Sequence, residues 1–214
     1  MKNYLIALLE LAHTINMVIV TGTGRSGTSL IAKWLDEIGL LEYKSNWIPQ
    51  FNAGLEPTDV SRVNGAIWIG NDPEYQQVSV QKQKILEFDY QIIKDPKFFY
   101  GNVLDTWLSV RNDLKFLICL RKFTNVYKSR MKASQLAMAR KPEQLEHDLG
   151  RFISQLVFND LKFEIIKFPD FIDNFYEEVW TKTLNLYPQL SDIPYDVALE
   201  TWQNVADKKM VHHI

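Results

Sequence analysis

The sequence predicts an α/β fold: a doubly wound parallel sheet of four to five strands with helices on both faces. Two observations carry this expectation. Four apolar, β-prone runs (Met17 to Val20, Tyr90 to Lys94, Lys115 to Leu120 and Phe163 to Phe168) lack strict alternation, as strands buried on both faces do. Between them lie stretches with apolar residues at helical spacing, and strands alternating with helices form a parallel sheet through right-handed crossovers. A chain of 214 residues, 46% of them apolar, fills one domain with a full core and leaves no room for a second of ordinary size. Residues 1–214 are therefore read as a single domain.

In chain order, Lys2 and the run Tyr4-Leu5-Ile6-Ala7-Leu8-Leu9 have the outline of a signal peptide, but Glu10 interrupts the run and no small-residue cleavage site precedes Met17. The run is also too short to span a bilayer. The expectation for residues 1–16 is an extra N-terminal helix on the sheet edge of a cytoplasmic protein.

The organising stretch is Val18 to Leu35, VIVTGTGRSGTSLIAKWL. A β-prone run is broken by Gly22 and Gly24. From Thr28 the period changes, placing Leu30, Ile31, Trp34, Leu35 and Ile38 on one helical face, with Gly39 where a helix stops. Strand, glycine-rich turn and helix together are the context of a phosphate-binding loop, so the fold is expected to be of the P-loop type. The glycines permit tight turning, and the helix opening at Gly27–Thr28 offers N–H donors and a positive dipole end to an anion. The NTPase pattern GxxxxGK[ST] is met at Gly22, Gly27 and Ser29, but Thr28 stands in the lysine position. That lysine reaches the β- and γ-phosphates of a triphosphate, so its absence argues against ATP or GTP. The positive charge lies instead at Arg25, inside the loop.

Leu40 to Tyr75 is divided by Pro49, Gly54, Pro57, Gly65, Gly70 and Pro73 and reads as irregular, with Trp47, Phe51 and Trp68 as candidate walls of a substrate pocket. Val78 to Phe88 reads as a short helix. The second strand ends in Lys94-Asp95-Pro96, where proline closes the ladder. Gly101 to Asn112 reads as a helix with Val103, Leu104, Trp107 and Leu108 inward. The third strand stops at Arg121, and Thr124 is the expected N-cap of a helix to about Arg140. Pro142 opens another helix, with Leu145, Leu149, Phe152, Ile153 and Leu156 at helical spacing. After the fourth strand, Asp170 is expected to cap a helix to about Leu186; Pro188 and Pro194 bracket a loop, and a final helix covers Tyr195 to Val205.

Ligands of such a sheet bind outside the carboxyl ends of its strands. Those ends carry Gly22 to Ser29, Lys94–Asp95, Arg121 and the Pro169–Asp170 turn, so one rim collects cations and an anion cradle. A net charge of −2, with acids and bases interspersed, gives no nucleic-acid surface, so the anion site must be local. The single cysteine, Cys119, lies in an apolar strand and reads as a buried thiol of a reducing compartment.

The loop sequence Arg25-Ser26-Gly27-Thr28-Ser29 resembles the 5′-phosphosulfate loop of the sulfotransferases, which use 3′-phosphoadenosine 5′-phosphosulfate (PAPS). Arg121 at a strand end, with Ser129 eight residues on, is similar to their 3′-phosphate site, although the usual tripeptide near RNP is here Arg121-Lys122-Phe123. Lys94-Asp95-Pro96 resembles the KDPR of bacterial sulfotransferase-like sequences. The resemblance follows the order of motifs from Met17 to Leu186. It implies PAPS bound by Gly24, Arg25, Ser26, Gly27, Thr28, Ser29, Arg121 and Ser129, with no metal. It also implies a small-molecule, saccharide or peptide acceptor; the charge balance and the short apolar run add the expectation of neither nucleic acid nor membrane as partner.

Sulfuryl transfer is an in-line displacement in which charge on the transferring group and the leaving oxygen must be neutralised. The resemblance gives that task to Arg25, Lys94 and the N–H groups of Gly27 to Ser29. A general base must take the acceptor proton. Cytosolic sulfotransferases place a histidine after the strand-end lysine; here Asp95-Pro96 follows, and His13, His147, His212 and His213 lie elsewhere. Other branches use a glutamate after the first helix, which makes Glu56 the favoured candidate, with Glu42 and Asp95 as alternatives. Two other readings stay open: a nucleotide or small-molecule kinase, and a non-catalytic nucleotide-binding protein. The last thirty or so residues match no known pattern, and Lys208 and Lys209 stand as candidates to close over a nucleotide.

Overall fold

The computed structural model describes residues 16–43, 55–132 and 140–206. The expected N-terminal helix, Trp47, Phe51, His13, His212, His213, Lys208, Lys209 and the stretch 133–139 lie outside the described residues.

The sheet contains β1 (Met17–Gly22), β2 (Ile92–Lys94), β3 (Leu114–Arg121) and β4 (Lys162–Phe168), all parallel, in the order β2-β1-β3-β4. The register sets Val20 beside both Lys94 and Leu117, Gly22 beside Cys119 and Arg121 beside Phe168. The chain leaves β1 for one neighbour and then crosses back to the other. The strand order therefore reverses at β1, and the crevice between the carboxyl ends of β1 and β3 is the switch point where such sheets take ligands.

Nine helices are described: α1 (Thr28–Glu37), α2 (Thr58–Ile69), α3 (Val78–Glu87), α4 (Val103–Leu108), α5 (Phe123–Lys132), α6 (Pro142–Phe158), α7 (Asp170–Asp173), α8 (Thr181–Leu186) and α9 (Tyr195–Val205). The two sheet faces explain the unbroken apolar strands. Met17, Ile19, Ile93, Phe116 and Ile118 meet one core, built with Val60 and Val63 of α2, Val103 and Trp107 of α4, and Leu145, Phe152 and Leu156 of α6. Val18, Val20, Ile92, Leu117, Cys119 and Ile166 face the other, against Ile31, Trp34 and Leu35 of α1 and Ala198, Trp202 and Val205 of α9. Trp34 ties these last two helices together. It is fully buried, donates from Nε1 to the Ala198 carbonyl at 3.0 Å and meets Trp202 edge-on. Truncating such a tryptophan to alanine costs about 3–5 kcal/mol.

Four expectations are corrected. The stretch read as irregular contains α2, which starts after Pro57; Gly70, at φ 66°, ends it as a left-handed cap rather than marking a loop. Thr124 lies inside α5, one residue past its start at Phe123. The helix between Gly101 and Asn112 is confined to Val103–Leu108, although Val103, Leu104 and Trp107 are buried as expected. The helix expected from Asp170 to Leu186 is split. Pro169 takes the cap position, Asn174 leaves helical geometry after α7, and Phe175–Trp180 winds as a π-helical turn before α8. Pro188–Asp192, within the expected loop, forms a 3₁₀ turn. Among the described residues no helix is long and apolar enough to cross a membrane.

Candidate functional site

β1 delivers the chain into the loop at Gly22, where a Cβ would stand 2.3 Å from the Cys119 carbonyl oxygen and 2.6 Å from Ser26 Oγ. Only glycine fits against the neighbouring strand. Gly24, Arg25 and Gly27 then take left-handed φ values of 65°, 59° and 99°. For a non-glycine residue this conformation costs about 1–2 kcal/mol, so Arg25 is held there by its surroundings. At Gly27 a Cβ would fall 2.6 Å from Phe171 Cζ. No side chain caps α1, and its first turn carries no acid. The helix start therefore keeps its anion-binding character.

Three arginines converge on the loop. Arg25 Nε donates to Ser129 Oγ at 3.2 Å, and Arg121 Nη1 donates to the Arg25 carbonyl at 3.4 Å. Ser129 is buried in α5, two turns past Arg121 at the end of β3. The Arg121 guanidinium rests over the Phe168 ring, 4.8 Å from its centroid, and its Nε is buried with no hydrogen-bond partner among the described residues. Arg130 Nη2 donates to the Thr23 carbonyl and, at 2.6 Å, to the Tyr100 hydroxyl. Burial, reinforced by Arg130, lowers the Arg25 pKa; burial, reinforced by Arg25, lowers that of Arg121. Guanidinium groups keep their protons regardless. The consequence is a field of like charges that an anion would relieve.

Beside them Lys94, 2% exposed at the end of β2, donates from Nζ to Ser29 Oγ at 3.2 Å and to the Glu56 carboxylate. Tyr43 braces the pair. Its oxygen accepts from the Lys94 N–H at 3.2 Å, and its hydroxyl donates to the Leu55 carbonyl at 2.9 Å, next to Glu56. Burial pushes the Tyr43 phenol well above its usual range.

The structure thus brings together two sets of residues read separately in the sequence: Arg25 with Arg121 and Ser129, and Lys94 with Ser29 and Glu56. The two alternative candidates for the base make other contacts. Asp95 is fully buried, accepting from Asn64 Nδ2 at 3.0 Å and the Lys97 N–H at 2.8 Å; these bonds fix the turn after β2 and orient neither Lys94 nor Arg25. Glu42 accepts from Gln91, at the start of β2 rather than at the rim. His147 is exposed on α6. Trp68 stacks on Tyr100 with ring centroids 5.1 Å apart, so this candidate wall lies beside the Arg130 cluster.

Sequence reading missed Arg130, Tyr100 and Tyr43. No motif marks them, because each acts on a backbone group that only the folded chain brings near. Among the described residues no group of three or more His, Cys, Asp or Glu side chains is placed to hold a metal ion. No protein-family model matches the chain, and no curated protein matches it either.

Proposed function

We propose that this protein is a sulfotransferase that moves a sulfuryl group from PAPS to a hydroxyl or amine of a small-molecule, saccharide or peptide acceptor, without a metal ion. The observation that carries the reading is the hydrogen bond between Arg25 and Ser129, with Arg121 on the Arg25 carbonyl. It joins the candidate 5′-phosphosulfate and 3′-phosphate sites at one crevice, and a ligand with an anion at each end of a ribose suits that pairing.

The residues fit such a ligand. Arg121 has a buried Nε without a partner among the described residues, the α1 terminus is uncapped by side chains, and the arginine field favours a multiply charged anion. Bound PAPS would supply the sulfuryl group and leave as the 3′,5′-diphosphate. Gly24 to Ser29 would hold the 5′ end through N–H groups and the Arg25 side chain, while Arg121 and Ser129 hold the 3′-phosphate. Lys94 would supply positive charge at the reacting centre from its place beside Ser29. Glu56, with its side chain 23% exposed beside Lys94, would accept the proton of the acceptor.

Lys94 also weighs against the kinase reading. In a P-loop NTPase the residue at Ser29 helps hold magnesium, and here an ammonium group lies 3.2 Å from that hydroxyl. A second reading, nucleotide binding without catalysis, is favoured by the ion pair that ties Glu56 to Lys94.

Thermal shifts with adenosine 3′,5′-diphosphate, AMP, ADP and ATP, each with and without magnesium, test the assignment. At about a hundred times its dissociation constant a ligand adds about 2.7 kcal/mol, a rise of roughly 5–11 °C at this size. The expected result is a rise with the 3′,5′-diphosphate that is indifferent to magnesium. A magnesium-dependent rise with ATP would replace the assignment by a kinase, and binding without transfer to any of a broad acceptor panel would favour the non-catalytic reading.

A further inference from the structure

A loop that binds an anion through backbone N–H groups has a weakness at its glycines. Rotation of one peptide plane exchanges an inward N–H for a carbonyl oxygen, which repels the ligand. The Thr23–Gly24 peptide is exposed to this because Gly24, at φ 65°, accepts either orientation at little cost. Two buried donors meet its carbonyl: Arg130 Nη2, and the Tyr100 hydroxyl at 2.6 Å. The two donors are themselves joined, Arg130 to Tyr100 at 2.6 Å. Arg130 is 6% exposed and Tyr100 5%, so the carbonyl is drawn into the protein. Tyr100 is fixed in turn by Trp68 stacked on its ring and by Arg140, whose guanidinium lies 4.9 Å from the ring centroid. Consecutive residues of α5 therefore act on the loop in different ways, Ser129 on the Arg25 side chain and Arg130 on the Thr23 backbone.

We propose that Arg130, acting with Tyr100 on the Thr23 carbonyl, is the positioning residue that locks the Thr23–Gly24 peptide in the orientation that binds an anion. The inference rests on the loop being an anion site, as in the proposed function, but not on which nucleotide fills it. Arg130 touches the loop backbone rather than the ligand, so its loss weakens every ligand of the loop, the more highly charged ones somewhat more because a cation also leaves the arginine field. A direct contact with the 3′-phosphate would instead confine the loss to the 3′,5′-diphosphate.

The test is calorimetric affinity for inorganic pyrophosphate, AMP and adenosine 3′,5′-diphosphate, measured well below the melting temperature on the full chain and on Arg130→Met, Arg130→Lys and Tyr100→Phe. Arg130→Met is expected to weaken all three ligands by about tenfold or more, as loss of a charge-assisted hydrogen bond does, with AMP affected as well as the more highly charged ligands. Arg130→Lys keeps the charge but not the guanidinium fork, and is expected to stay weak. Tyr100→Phe removes one hydroxyl and is expected to weaken all three by a smaller common factor; it also carries the test if Arg130→Met does not fold. A role confined to fold stability would leave the affinities of folded protein at their original values and overturn the proposal. So would full rescue by lysine, or a loss restricted to the 3′,5′-diphosphate. If the unaltered chain binds pyrophosphate but neither nucleotide, the sulfotransferase reading falls while the pyrophosphate series still decides Arg130. If it binds none of the three, both fall.

Discussion

Arg25 and Ser129 stand 104 positions apart in the chain, yet Arg25 Nε donates to Ser129 Oγ at 3.2 Å. Arg25 reaches that contact from a left-handed backbone inside a glycine-rich loop, and Ser129 from the buried side of α5. The bond couples the two anion-binding candidates, so the two can be dissected by removing one cation at a time.

Arg121→Ala should weaken adenosine 3′,5′-diphosphate binding by tenfold or more, the scale of a lost charge-assisted contact of about 1.5–3 kcal/mol, and leave AMP binding little changed. Calorimetry on the two nucleotides reads the difference. Equal losses would show that Arg121 supports the loop, through its bond to the Arg25 carbonyl, rather than reading a second phosphate.

At Arg25 the side chain and the backbone can be separated. Arg25→Gly and Arg25→Ala both remove the guanidinium, but only glycine accepts φ 59° without strain. Urea unfolding should place the glycine variant about 1 kcal/mol above the alanine variant, and neither should transfer sulfuryl groups. Near-normal transfer by either variant would remove Arg25 from the reacting centre.

The Lys94–Glu56 pair should respond asymmetrically. The Lys94 side chain is 3% exposed and that of Glu56 23%, so Glu56→Gln takes the Glu56 charge from beside a buried ammonium while Lys94→Met leaves a carboxylate that water can reach. Glu56→Gln is expected to cost about 1–3 kcal/mol, less than for a fully buried pair, and more than Lys94→Met. Chemical denaturation of both variants and of the double variant Lys94→Met/Glu56→Gln gives the coupling. The reverse order would mean that desolvation does not govern the pair.

Tyr43 carries a pH signature. Because burial raises its phenol pKa, the folded chain keeps this proton where the unfolded chain has lost it. The stabilisation is present below about pH 10 and is lost as pH rises through the folded-state value. Tyr43→Phe should cost about 1 kcal/mol near neutrality, where the bond to the Leu55 carbonyl is missing, and the deficit should shrink in alkali. Tyr90 is also raised, to about 12, but it is common to both proteins, so the difference in stability isolates Tyr43. A deficit that does not change with pH would contradict the assignment.

The sequence by itself determined the strands, the loop and the final helix, because each is specified within a few residues. Runs such as KFLICL have no polar face to offer water, so they declare a strand covered on both sides. Glycines at 22, 24 and 27 announce a backbone that side chains obstruct, and Tyr195–Val205 carries a clean helical period. Helix α2 was hidden because Gly65 and Gly70 read as breaks; Gly65 instead lies inside the helix near Asn71, and Gly70 is its cap.

Tertiary structure decided the strand order β2-β1-β3-β4, the meeting of Arg25 with Ser129 and of Lys94 with Glu56, the burial of Asp95 against Asn64, and the hold of Arg130 and Tyr100 on Thr23. These contacts bridge distant parts of the chain. Their geometry depends on sheet register and on which polar groups burial forces into partnership, and neither quantity is carried by local residue spacing.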